Sequence, residues 1–297
     1  NLTGAYMKIG IHIVNFSLSA GPAVLAKTLA DTALAAEDTG LSHISMMDHF
    51  FQLELLGGAE LDMLEGYTSL GYIAAKTEHI RLGLLVTGVT YRYPGLLAKI
   101  VTTLDILSEG RADFGIGAAW YDREHLGLGV PFPPLKQRFE QLEETLQICM
   151  QMWGENDGPF NGKYFQLEET RNVPQSLQRP HPPVMIGGMG EQKTLMLVAK
   201  YGNACNLFLE SGPDQIAHKL DILRQHCRAL GRDYNSIEKT ILYLAPCPSA
   251  DHCSNFVDEM SVYAELGINR VMVMPGCENP VAEVMALRPV VEALSSL

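Results

Sequence analysis

Cationic side chains are scarce. The 297 residues hold 22 Lys and Arg against 34 Asp and Glu, a net charge of −12. A surface this acidic repels nucleic-acid phosphates and anionic bilayers, so neither is expected as a partner. No apolar run approaches the roughly 20 residues needed to span a membrane, and no basic start with an apolar core marks export. The six cysteines (Cys149, Cys205, Cys227, Cys247, Cys253, Cys277) lack C-x-x-C spacing. They read as reduced thiols of a cytoplasmic protein with no metal site. No G-x-G-x-x-G turn follows the first apolar run, which argues against an open dinucleotide-binding sheet. No glycine turn carries the Lys-Ser/Thr of a P-loop, which argues against nucleotide hydrolysis. Residues 1–6 read as a leader or tag remnant before Met7-Lys8, so the sequons at Asn1 and Asn15 carry no weight. Residues 7–297 read as one domain.

What is present is a regular alternation of strand and helix patterns. Strand-like runs fall at Met7–Val14, His43–Met47, Ile80–Thr87, Ala112–Gly117, Val184–Gly187, Ala204–Phe208, Thr240–Ala245 and Arg270–Met274. Helical patterns follow them at Pro22–Thr39, Leu64–Thr77, Pro94–Leu107, Leu135–Trp153, Glu191–Tyr201, Pro213–Leu230, Asn255–Leu266 and Pro280–Leu294. Leu135, Phe139, Leu142, Leu146 and Met150 recur at helical spacing. Several strands are nearly continuous apolar runs, the mark of parallel strands buried on both faces. Eight such units predict an α/β fold of the (β/α)8 TIM-barrel type. A Pro-, Gly- and Asn-rich stretch at about 154–183, with a short strand-like piece at Tyr164–Leu167, reads as an insertion between helix 4 and strand 5.

Active sites of such barrels lie at the C-terminal ends of the strands. The second strand ends at Asp48-His49, followed by Phe50 and Phe51. An imidazole titrates near neutrality and can give or take a proton; the bland alternative is a solvated loop pair. The third ends at Thr87-Gly88-Val89. Nearby Arg92 fits either a negative ligand group or a surface position between packing tyrosines. Glu65 is read as a local helix-start residue. The fourth ends in Gly115-Ile-Gly117-Ala118-Ala119 before Trp120 and Tyr121, a patch of small residues that suits a planar or anionic ligand or close helix packing. The fifth ends in Gly187-Gly188-Met189-Gly190, a turn that suits an anion at a helix start or a simple βα connection. The sixth ends at Asn206-Leu207-Phe208.

Met47-Asp-His-Phe50, Leu85-Val-Thr-Gly-Val-Thr-Tyr-Arg92, Gly115-Ile-Gly-Ala-Ala-Trp120, Gly129-Val-Pro-Phe-Pro133, Arg138-Phe-Glu-Gln-Leu-Glu-Glu144 and Ile186-Gly-Gly188, in this order, resemble the luciferase-like flavin and deazaflavin oxidoreductases, in particular the coenzyme F420 branch. The resemblance implies hydride transfer between the deazaflavin C5 and an organic substrate, and a homodimer. It implies Asp48 against the cofactor and His49 in proton transfer. Thr87, Gly88, Val89, Gly117, Ala118, Ala119 and Gly187 to Gly190 would hold the cofactor, with a non-prolyl cis peptide at Gly88-Val89. Ala118 stands where sugar-phosphate dehydrogenases of the family carry an acidic glutamate, and no basic cluster for a sugar phosphate is evident. Phe50, Trp120, Tyr121 and Phe208 suggest a pocket for an apolar or aromatic small molecule. The alternatives are an FMN-dependent monooxygenase using dioxygen and a non-catalytic flavin-binding barrel.

Overall fold

The computed structural model describes residues 6–297; residues 1–5, most of the expected leader, lie outside the described residues. Eleven strands form: β1 (Lys8–Ile13), β2 (His43–Met46), β3 (Arg81–Leu84), β4 (Thr87–Gly88), β5 (Ala112–Gly117), β6 (Phe160–Asn161), β7 (Gln166–Leu167), β8 (Val184–Gly187), β9 (Ala204–Phe208), β10 (Glu238–Tyr243) and β11 (Arg270–Val273). β1, β2, β3, β5, β8, β9, β10 and β11 pair in parallel in that order, and β1 closes on β11 with Lys8 opposite Arg270. The expected (β/α)8 barrel is therefore present.

The helices are α1 (Leu25–Thr39), α2 (Gly66–Ala74), α3 (Pro94–Leu107), α4 (Asp122–Leu128), α5 (Leu135–Met152), α6 (Thr194–Tyr201), α7 (Gly212–Leu230), α8 (Cys253–Glu265), α9 (Pro280–Met285) and α10 (Arg288–Leu294). Leu25, Leu29, Ala33 and Ala36 of α1 recur every three or four residues and are buried against the barrel. The chain leaves α1 through Gly40 at φ 85°, a left-handed turn that a side chain resists. Buried Arg111 ties α2 and α3 to the barrel by donating to the carbonyls of Ala74, Thr77, Ile80 and Ser108. Side-chain carboxylates do similar work on loops. Glu144 accepts the N–H groups of Lys163, Tyr164 and Phe165, and Asp105 accepts those of Leu177 and Gln178. These bonds hold the 154–183 stretch, whose ordered part is the antiparallel pair β6–β7.

Three differences from the sequence pattern stand out. The stretch at 122–128 is too short and too charged to read as helical, yet α4 forms there and Gly129 at φ 73° closes it. The last helix is two, because Leu287 and Pro289 begin a new helical segment. Above all, the third strand is broken. It stops at Leu84, and the chain resumes as β4, which pairs with β5 through Thr87 opposite Ile116 and Gly88 opposite Gly117. The non-prolyl cis peptide lies at Leu85–Val86 and not at Gly88–Val89 as expected.

The break drives Val86 into the barrel mouth. A Cβ on Gly117 would sit 3.0 Å from Val86 Cγ2, and one on Gly187 only 2.8 Å from it. A Cβ on Gly115 would collide with the Leu84 carbonyl oxygen and meet Val86 Cγ1 at 3.0 Å. The small residues at the end of the fourth strand are thus required by the protein itself. We expect Gly115→Ala to destabilise by roughly 1–3 kcal/mol through overpacking. Gly71→Ala, in the interior of α2 with nothing within 4 Å of the new methyl, should stabilise by about 0.5–1 kcal/mol. Urea denaturation of both variants checks the pair; equal effects would contradict the packing argument.

Candidate functional site

A concavity of about 470 Å³ opens at the C-terminal end of the barrel strands. Its walls include Asp48, His49, Leu85, Val86, Thr87, Gly88, Tyr91, Gly117, Ala118, Ala119, Trp120, Leu135, Phe139, Gly187, Gly188, Gly190, Thr194, Asn206, Phe208 and Leu242. Residues from six consecutive barrel positions meet there because parallel strands all point their ends the same way. The surface is mostly apolar side chain and bare backbone. Ala119 sits at φ 61° and Gly188 at φ 117°, conformations that turn the chain sharply around the wall.

Asp48 is buried and fully engaged. Its carboxylate accepts from Arg92 at 2.8 and 3.0 Å and from the Gly88 N–H at 2.9 Å. Burial pushes this carboxyl above its usual range, against the opposing pull of Arg92. Arg92 also donates to Glu65 at 2.6 Å, and Glu65 meanwhile caps α2 by accepting the N–H groups of Tyr67 and Thr68. The two roles weighed for Glu65 and Arg92 therefore merge. Arg92 is neither a ligand-facing cation nor a free surface charge but the centre of a half-shielded triad. Asp48 consequently orients the third-strand loop as well as facing the cavity.

His49 is held from behind. Its Nδ1 lies 2.7 Å from Oε1 of Glu124, the first buried acid of α4. Glu124 also accepts the N–H groups of Phe50 (2.7 Å) and Phe51 (3.2 Å) and the Tyr91 hydroxyl. Burial raises the Glu124 carboxyl, but the His49 and Tyr91 hydrogen bonds outweigh it and hold the group below the ordinary carboxylate range. Sequence reasoning missed Glu124. The one signal was its place in Tyr121-Asp-Arg-Glu-His125, an acid inside the glycine–aromatic stretch. Nearby His12, buried on β1 with Nδ1 2.8 Å from Ser45 Oγ, is pushed down to about 3, first by burial and then by His49. It stays neutral, and His49 is the imidazole on the cavity wall.

Several residues expected at the pocket lie elsewhere. Tyr121 is buried in a separate cluster with Val14, Met47 and Leu53, its hydroxyl 2.6 Å from Glu54. Phe50 turns away to pack edge-on against Tyr91. Val89 is core, with its N–H bonded to the Gly117 carbonyl at 3.0 Å. Met189 points at the following strand, where its sulfur meets the Phe208 N–H at 3.1 Å. Leu135 and Phe139, the first two residues of the apolar stripe read from the helical spacing, line the cavity from α5. Trp120 and Phe208 do stand at the mouth, both well exposed, and Trp120 meets His49 edge-on at 5.6 Å.

Four donors converge on Glu124, and an amide in its place would put two N–H groups among them. We expect Glu124→Gln to cost about 1–3 kcal/mol of stability near neutral pH. The Glu124 carboxyl is depressed in the folded state, so its contribution is complete above the unfolded value and is lost as pH falls through the folded one. The gap between wild type and variant should therefore shrink on acidification, as urea titrations at several pH values will reveal.

Comparison with known proteins places this geometry. Residues 7–260 match the family described as luciferase-like monooxygenase. The chain is 33% identical over 219 residues to an F420-dependent glucose-6-phosphate dehydrogenase of Kineococcus radiotolerans, a match covering 72% of this chain and 62% of that protein. It is 28% identical over 161 residues to the enzyme of the same name from Amycolatopsis mediterranei, covering 54% of this chain and 46% of that protein. The matched stretches thus span less than two thirds of these relatives. Two solved structures share the fold. One is an F420-dependent secondary alcohol dehydrogenase in complex with an F420–acetone adduct (TM-score 0.81, 16% identity, 97% of this chain and 99% of that one). The other is the coenzyme F420-dependent tetrahydromethanopterin reductase of Methanopyrus kandleri (TM-score 0.79, 15% identity, 95% and 97%). A match to most of the chain, on a closed eight-stranded barrel with its cavity at the strand ends, means that this protein belongs to the luciferase-like monooxygenase family.

Proposed function

We propose that the protein is an F420-dependent oxidoreductase that transfers hydride between the deazaflavin and an uncharged, apolar, electron-poor organic molecule. The observation that carries this reading is the pairing of His49, backed by Glu124, with a cavity wall of Val86 and glycine or alanine backbone. The residues present fit a flat, neutral ring. Val86, Gly117, Ala118, Ala119 and Gly187 offer a low surface on which such a ring can lie. The turn Gly188–Gly190 exposes backbone toward an anionic tail, and Lys193, whose Nζ lies 5.4 Å over the Phe139 ring, sits beside that wall.

When bound, F420 supplies hydride transfer at C5. The protein's own part is to orient, to exclude water and to move one proton. Neutral His49 donates its Nδ1–H as a hydrogen bond to the Glu124 carboxylate, which leaves Nε2 as the free ring nitrogen. Protonated, Nε2 donates a proton to the substrate as it is reduced; neutral, it accepts one in the opposite direction. Leu135, Phe139, Trp120 and Phe208 shield the mouth. No Lys or Arg lines the cavity among the described residues, and Arg92 is spent on Asp48 and Glu65. That supports a substrate without a phosphate, unlike the sugar phosphate in the names of the bacterial relatives.

Titration with F420 and with FMN, each oxidised and reduced, tests the cofactor. Tight F420 and negligible FMN binding is expected; the reverse would replace this reading with a flavin monooxygenase. His49→Ala should slow single-turnover hydride transfer by roughly 10²–10⁴-fold while changing F420 affinity only a few-fold. An unaltered single-turnover rate would remove His49 from the proton transfer.

A further inference from the structure

Across the barrel from His49 lies a polar group that the chemistry above does not use. Asn206 is on β9, four steps from β2 around a closed ring of eight, and hence on the opposite wall. It is 3% exposed yet lines the cavity. Its Oδ1 accepts from Thr240 Oγ1 at 2.9 Å, a hydroxyl whose single hydrogen is shared between that oxygen and the Cys205 carbonyl at 2.8 Å. The amide nitrogen has no hydrogen-bond partner among the described residues. Its neighbours on the wall, Leu242, Phe208 and Gly187, present only apolar atoms or backbone.

A buried amide costs free energy unless its hydrogens find acceptors. Other polar side chains of the cavity meet that need inside the protein: Asp48 with Arg92, Thr87 with Tyr67, Tyr91 with Glu124. Asn206 is held at one end by a neighbour that fixes its rotamer and is left open at the other. We propose that Asn206 is a specificity-determining residue whose amide N–H donates to an uncharged acceptor oxygen, a carbonyl, on the molecule in the cavity. The carbonyl belongs either to the deazaflavin ring or to the organic substrate. An amide suits this role better than a cation because it recognises oxygen without favouring an anion, in keeping with a cavity that lacks Lys and Arg. The inference rests on the F420 reading for the identity of the first source.

The test compares wild type with Asn206→Asp, which keeps the shape and the bond from Thr240 but removes the donor, and Asn206→Ala. Calorimetry measures the affinity of oxidised F420 and, with F420 bound, that of 2-cyclohexenone as a small neutral carbonyl compound. Thr240→Val, which frees the amide to rotate, should weaken the same ligand less. A loss of about tenfold or more in F420 affinity in both Asn206 variants assigns the bond to the ring. The same loss confined to cyclohexenone assigns it to the substrate. Unchanged affinities for whatever the wild type binds would overturn the role of Asn206 and leave the cofactor reading intact. A wild type that binds neither probe overturns the F420 reading and this inference with it.

Discussion

The seating of Val86 among backbone atoms is the constraint on which the rest of the site depends. A branched side chain can enter the barrel mouth only where facing strands carry no Cβ, and Gly115, Gly117 and Gly187 meet that condition. The break ends β3 at Leu84, and the chain resumes as β4 beside the same neighbour, β5, with its register moved by one residue. That shift aims the Gly88 N–H at Asp48 and brings Arg92 back to the same carboxylate. One steric fit thus produces the wall and orients the charged group beside it. Closely packed interiors transmit such displacements because they have little void to absorb them.

The charged groups of the site are enclosed by their partners. Arg92 is enclosed by Asp48 and Glu65, and Glu124 by His49, Tyr91 and two backbone N–H groups. Buried ion pairs contribute little net stability once desolvation is counted, so their value here is positional. The triad fixes the third-strand loop, and the Glu124 cluster fixes an imidazole. What faces the cavity is therefore mostly apolar side chain and backbone, with Asp48, His49 and a few hydrogen-bonding groups among them.

Much of the architecture was legible because its signals are local. The limits of α3, β5, β8 and β9 follow from proline at a helix start and from glycine or apolar runs, which act over a few residues. Asp48-His49 was readable as a site because the strand count placed it at a barrel mouth. The break after Leu84 was not readable, since the apolar run Leu84-Leu-Val86 continues the strand pattern of Ile80–Thr87 without interruption. Neither was Glu124, whose partners are 33 and about 75 residues away.

By itself, then, the sequence determined the eight-unit barrel, the end at which chemistry would occur, and the small residues that admit something close to the backbone. Those properties depend on periodicity and residue size, which each segment carries with it. Only the tertiary structure decided what fills the space beside those glycines, which face each strand-end residue takes, and which groups quench one another. Tyr121 turned inward, Phe50 packed against Tyr91, Leu135 and Phe139 turned to the cavity, and Glu124 came to stand behind His49. These outcomes depend on pairings across the barrel, where a rotation of one residue exchanges wall for core and no local pattern records the difference.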